Sequence, residues 1–138
     1  MSRVINVANP GKRRNTARRT IAELLRRLML QHELNEETKD MVAALVLNLR
    51  EIAATIETTT EAWEKRDYYL KADRFRLEWE WVAPAAQSLE DLVLQERWES
   101  LPQALADLAP RFADIRVAKM TRSPSAWRGS YALLLQQS

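Results

Sequence analysis

The chain contains no cysteine, one histidine (His32), two glycines (Gly11 and Gly129) and no apolar run longer than a few residues. The missing cysteine excludes disulfides, thiolate catalysis, cysteine-based zinc sites and iron–sulfur clusters. A single histidine cannot supply a multi-histidine metal centre. Two isolated glycines leave no glycine-rich phosphate loop and no dinucleotide fingerprint. The longest apolar stretches, 41–47 and 132–135, fall far short of the ~20 residues a membrane span needs. The first ten residues carry one positive charge and no apolar core of signal-peptide length. These absences predict a soluble, cytoplasmic, non-enzymatic protein with no cofactor, no metal, no membrane span and no evident small-molecule substrate.

What is present points to helix. Of the 138 residues, 46% are hydrophobic and 29% charged, enough for one domain with a real core. Alanine, leucine, glutamate and arginine dominate, and apolar residues recur every three or four positions. The expected fold is all-α: a small helical bundle (17–120) around one very long central helix (about 36–83), with an extended basic N-terminal arm (1–16) and an irregular C-terminal tail (121–138). No repeat of 20–50 residues suggests a solenoid.

Local signals set the expected boundaries. Asn9-Pro10-Gly11-Lys12 suits a type II turn ending an extended stretch over 3–8. The first helix is then expected to begin between Asn15 and Thr20, with Thr20 and Glu23 as a capping box. Its inward face is Ile21, Leu24, Leu25, Leu28 and His32, leaving Arg19, Glu23, Arg26 and Arg27 to solvent. Asn35 caps the next helix, with Glu36 and Glu37 in its first turn. Val42, Leu49, Ile56, Trp63, Leu70 and Leu77 form a column at seven-residue spacing, and no glycine or proline interrupts it before Pro84. That predicts one helix of about 48 residues, roughly 70 Å long, with Thr58-Thr59-Thr60 as the one plausible break. Further helices are expected over 88–99, capped by Ser88, and over 102–119, where Pro110 must kink or divide the helix.

Charge is unevenly distributed. Residues 1–27 hold eight basic side chains against Glu23 alone, a net +7; residues 28–110 total −9; residues 111–138 total +4. Lys12, Arg13, Arg14, Arg18, Arg19, Arg26 and Arg27 are therefore the candidate nucleic-acid-binding residues, gripping backbone phosphates of DNA or RNA without sequence preference. The competing reading has the acidic middle segment attract these cations within the molecule or across a dimer.

Residues 61–82 show two apolar stripes, Trp63, Leu70, Leu77 and Trp81 on one side and Tyr68, Ala72, Phe75 and Trp79 nearly opposite. One stripe faces the chain's own core. The other, with Tyr68, Phe75, Trp79, Trp63 and Trp81 as interface candidates, predicts a homodimer. The carboxylates Glu51, Glu57, Glu61, Glu64, Asp67, Glu78 and Glu80 lack any Glu-x-x-His partner and read as solvated, salt-bridged residues rather than a di-iron site. His32 reads as a core or capping residue. The functional expectation is a helical nucleic-acid binder; the alternative is an adaptor that oligomerises through the aromatic face and docks its basic arm on an acidic protein surface.

Overall fold

The computed structural model describes residues 9–31 and 33–138, and every regular element in them is helical. The α-helices are α1 (Pro10–Leu30), α2 (Glu36–Glu64), α3 (Tyr69–Trp79), α4 (Val82–Leu94), α5 (Leu101–Leu108) and α6 (Ser130–Gln137). Short 3₁₀ turns occupy Trp98–Ser100, Ala109–Phe112 and Pro124–Ala126. All five prolines stand in the first turn of one of these elements, where the missing N–H has no intrahelical acceptor to lose.

α1 starts earlier than its sequence suggests. Asn9 is not part of a type II turn; its side chain accepts a hydrogen bond from the Lys12 amide at 3.1 Å, and Pro10 opens the helix. Lys12, Arg13 and Arg14 are thus helical rather than members of an extended arm. Thr20 is mid-helix, its hydroxyl donating to the Thr16 carbonyl at 3.0 Å, and no capping box forms there. The expected arm over 3–8 and the placement of His32 lie outside the described residues.

α2 is the central helix, and α1, α3, α4 and α6 all pack on it. Val42, Leu45, Val46, Leu49 and Ile52 are fully buried, so the seven-residue column does mark the core over this stretch. Asn35 caps it by accepting from the Thr38 amide at 2.8 Å. The triple threonine does not break it, because Thr58 and Thr60 return their hydroxyl protons to the carbonyls of Ala54 and Ile56.

The long helix ends at Glu64, not near residue 83. Over Lys65–Tyr68 the chain turns back, with Asp67 left-handed at φ 63 and the Tyr68 amide bonded to the Trp63 carbonyl at 2.9 Å. α4 closes the same way, with Glu96 at φ 53 and the Arg97 amide on the Leu92 carbonyl at 2.9 Å. Glycine usually fills this left-handed position; in this glycine-poor chain two acidic residues do so, at a cost of about 1 kcal/mol each. The reversal carries Phe75 and Trp79 back toward α1, where they find partners that a straight helix would not reach.

The remaining boundaries shift for related reasons. α4 begins at Val82, so Pro84 lies in its first turn and Ser88 is interior. Pro110 divides rather than kinks, because the helix beyond Leu108 tightens into a 3₁₀ turn and stops at Phe112. The C-terminal segment is irregular only to about residue 129. Trp127 and Leu134 belong to the core, and the Asp40 carboxylate of α2 accepts from the amides of Gly129 at 3.2 Å and Tyr131 at 2.9 Å, which fixes the start of α6.

Candidate nucleic-acid interface

The seven candidate cations all lie on α1, but the helix separates them into two faces. Arg13, Arg14 and Arg18 turn toward the body. Arg13 grips both carboxylate oxygens of Glu51, at 3.1 and 2.8 Å. Arg14 donates to the hydroxyls of Thr55 at 3.1 Å and Thr59 at 2.8 Å and lies 4.9 Å over the Phe75 ring. Burial there pushes its pKa down from the ordinary guanidinium value. Arg18 pairs with Asp114 at 2.7 Å and is flanked by Trp79 and Phe112 at 5.8 and 5.7 Å.

Lys12, Arg19 and Arg26 recur every seven residues on the opposite side, about 10 Å apart along the axis. Residues 113–122 cross this side as a strap. Arg19 donates to the carbonyls of Arg116 at 3.3 Å and Lys119 at 2.6 Å, Arg26 to that of Val117, and Arg27 to that of Arg122 at 3.4 Å. The strap brings Arg116, Lys119 and Arg122 beside Arg19, Arg26 and Arg27, so part of each basic segment meets on one face. Backbone carbonyls bond Arg26 and Arg27 without cancelling their charge, whereas Arg19 also pairs with the Glu23 carboxylate. Among the described residues, no carboxylate is paired with Lys12, Arg26, Arg27, Arg116, Lys119 or Arg122.

Glu23 holds the strap down. It was expected in solvent, yet it is 1% exposed, because the strap passes over it. Its carboxylate accepts from the amides of Thr121 at 2.7 Å and Arg122 at 2.8 Å, from the Thr121 hydroxyl, and from Arg19 Nε at 2.7 Å. Burial alone pushes this carboxyl up, but the hydrogen bonds from Thr121, Arg19 and Arg122 outweigh it and bring the pKa down to about 2. The sequence signal was present in the lone acid among eight cations, and in the second basic segment. What was not visible was that the two segments meet.

The aromatic candidates are engaged within the chain. Trp63, Phe75, Trp79, Trp81 and Phe112 run as a ladder with successive ring centroids 5.1, 6.2, 6.2 and 5.8 Å apart. Cations cover their faces: Lys71 on Trp63 at 4.3 Å, Arg14 on Phe75, Arg18 on Trp79 and Arg111 on Trp81 at 4.7 Å. The stripe expected to meet a second molecule is therefore the one that seats α3 on its own α1. Of the five interface candidates only Tyr68 is exposed; the apolar residues left open beside it are Tyr69, Leu70 and Leu77.

The acidic candidates divide between structure and solvent. Glu64 takes both terminal nitrogens of Arg76 at 2.9 and 3.0 Å, which lowers its pKa, and Glu51 takes Arg13. Among the described residues no group of three or more His, Asp or Glu side chains has a metal-binding arrangement, and no helix is long and apolar enough to cross a membrane. Comparison with family models, curated proteins and solved structures finds no match to this chain.

Proposed function

We propose that the protein is a non-enzymatic binder of nucleic-acid backbone, and that its contact surface is the joint face of α1 and the strap rather than a free N-terminal arm. One observation carries the reading: Arg26, Arg27, Arg116, Lys119 and Arg122 lie on or beside one face, with Lys12 further along α1, and among the described residues none of the six has a paired carboxylate. A set of uncompensated cations, three of them (Arg26, Arg27 and Arg122) tied to backbone carbonyls, repels itself unless an anion neutralises it. Regularly spaced phosphates supply that anion, each contact releasing condensed counterions. Four of these six cations are arginines, whose planar fork suits phosphate oxygens. Nothing in the face reads bases, so affinity without sequence preference is expected.

Fluorescence anisotropy against mixed-sequence duplex DNA and single-stranded RNA, at 50 and 200 mM salt, tests this. Micromolar binding that falls steeply with salt is the expected result, and Arg26→Ala with Lys119→Ala should weaken it by about an order of magnitude at the lower salt. Absence of binding to both at 50 mM salt would reject the reading and return the charges to contacts with acidic protein surfaces.

A further inference from the structure

The turn over Lys65–Tyr68 joins α1 and α2 to everything that follows, and it is built against its own residue types. It contains neither glycine nor proline, and Asp67 takes a left-handed backbone that aspartate tolerates better than most side chains but at a cost glycine would not bear. A straight helix would suit the same residues better. Ile56, Trp63, Leu70 and Leu77 hold their seven-residue register across the turn, and Asp67 and Lys71 stand at the spacing of a favourable helical ion pair. In the folded-back form that register is lost: Leu70 is 63% exposed and Leu77 66% exposed, and Lys71 instead lies over Trp63.

The seat of α3 is also separable from the connection. It is made by Arg14 against Phe75 and Arg18 against Trp79, contacts between segments that nothing but this turn obliges to come from one molecule. We propose that the turn is a hinge through which two copies of this chain exchange residues 69–138. In the exchanged dimer α2 continues into α3 as one helix of about 66 Å. Phe75 and Trp79 of each chain then dock under Arg14 and Arg18 of the other. The occupant is a second copy because this chain carries the matching α3 face, and the contacts of residues 69–138 with α1 and α2 away from the turn re-form between chains. The Leu70 and Leu77 seams, flanked by charges of both signs in Asp73 and Arg74, cover each other where the two long helices cross. Short, strained hinges favour such exchange, since opening relieves the strain while the contacts remain.

Refolding at micromolar and at several-hundred-micromolar concentration, followed by size exclusion with light scattering, tests the hinge. Concentrated refolding should give a species of twice the 16.0 kDa chain mass that survives dilution for hours. Asp67→Ala, which makes the left-handed turn harder, should raise its fraction severalfold; Asp67→Gly, which relaxes the turn, should reduce it to a trace. If Asp67→Ala does not fold, two glycines inserted after Asp67 serve instead and should abolish the dimer. A single-chain mass for wild type and Asp67→Ala at every concentration would overturn the proposal. So would a dimer that dissociates within minutes and responds to Leu70→Lys but not to residue 67, since that is surface pairing without exchange.

Discussion

Arg14 and Arg26 stand on the same helix, yet they have opposite surroundings. Arg14 is half-buried, with two threonine hydroxyls and an aromatic ring around its guanidinium; Arg26 is exposed and bonded to one backbone carbonyl of the strap. The difference generalises to the two faces. The body-facing arginines end on carboxylates, hydroxyls and rings, so they act as struts between α1, α2 and α3. On the strap side Arg26 ends on a carbonyl, so its charge survives, whereas Arg19 also pairs with Glu23 and Arg27 also lies 5.0 Å over the Trp127 ring. A count of basic residues along α1 cannot separate these roles; the identity of the acceptor does.

The largest effect should come from the residue that joins the strap to α1. Glu23→Ala removes the acceptor of the part-buried Thr121 and Arg122 amides and the carboxylate partner of Arg19 and should destabilise the fold by about 3 kcal/mol in urea unfolding, loosening the basic face at the same time. Its pKa is lowered from 4.5 to about 2, so its contribution is complete above about pH 4.5 and is lost as pH falls toward 2. A shift of that size corresponds to about 3 kcal/mol. Wild type should thus lose more stability across that acid window than the variant, in which the lowered carboxyls of Glu64 and Asp114 still titrate; equal acid profiles would show that the Glu23 carboxylate does not hold the strap. Next in size, Arg14→Ala should cost about 2 kcal/mol through its lost hydrogen bonds and ring contact while leaving affinity for a nucleic-acid duplex nearly unchanged.

Much of the fold was legible because α1 and α2 obey local rules. The core column Val42, Leu49 and Ile56 and the Asn35 cap follow from spacing and side-chain chemistry alone. The break at residues 65–68 was not legible, because Lys65, Arg66, Asp67 and Tyr68 carry no breaker and the column stays in phase. What bends the chain is remote: Phe75 and Trp79 find arginines that precede them by some sixty residues. The basic face was half legible. The charges were countable, but the burial of Glu23 and the partners of Arg19 and Arg26 depend on a strap nearly a hundred residues away in sequence. Helix periodicity put Glu23 on the side away from the α1 core residues, and the expectation of solvent there failed because a segment distant in sequence covers it.

Removing one exposed cation should be nearly silent in stability. Arg26→Ala is expected to cost less than about 1 kcal/mol, yet to lower the salt slope of nucleic-acid binding by about one unit. Arg14→Ala should show the reverse pattern, and the two variants together separate strut from contact.

The sharpest use of the comparison is to convert one role into the other. On the body-facing side Arg13 is held by Glu51, in a pair whose side chains are 34% and 41% exposed. Pairs so open to solvent contribute about 0.5 kcal/mol, so Glu51→Gln should barely alter unfolding. It should, however, release Arg13 next to Lys12 and remove a repelling carboxylate. Affinity for duplex DNA should then rise at low salt, and the salt slope should steepen by about one unit. An unchanged slope would mean that Arg13 stays on the body without its carboxylate, and that position on the helix, rather than the acceptor, decides which arginines are struts.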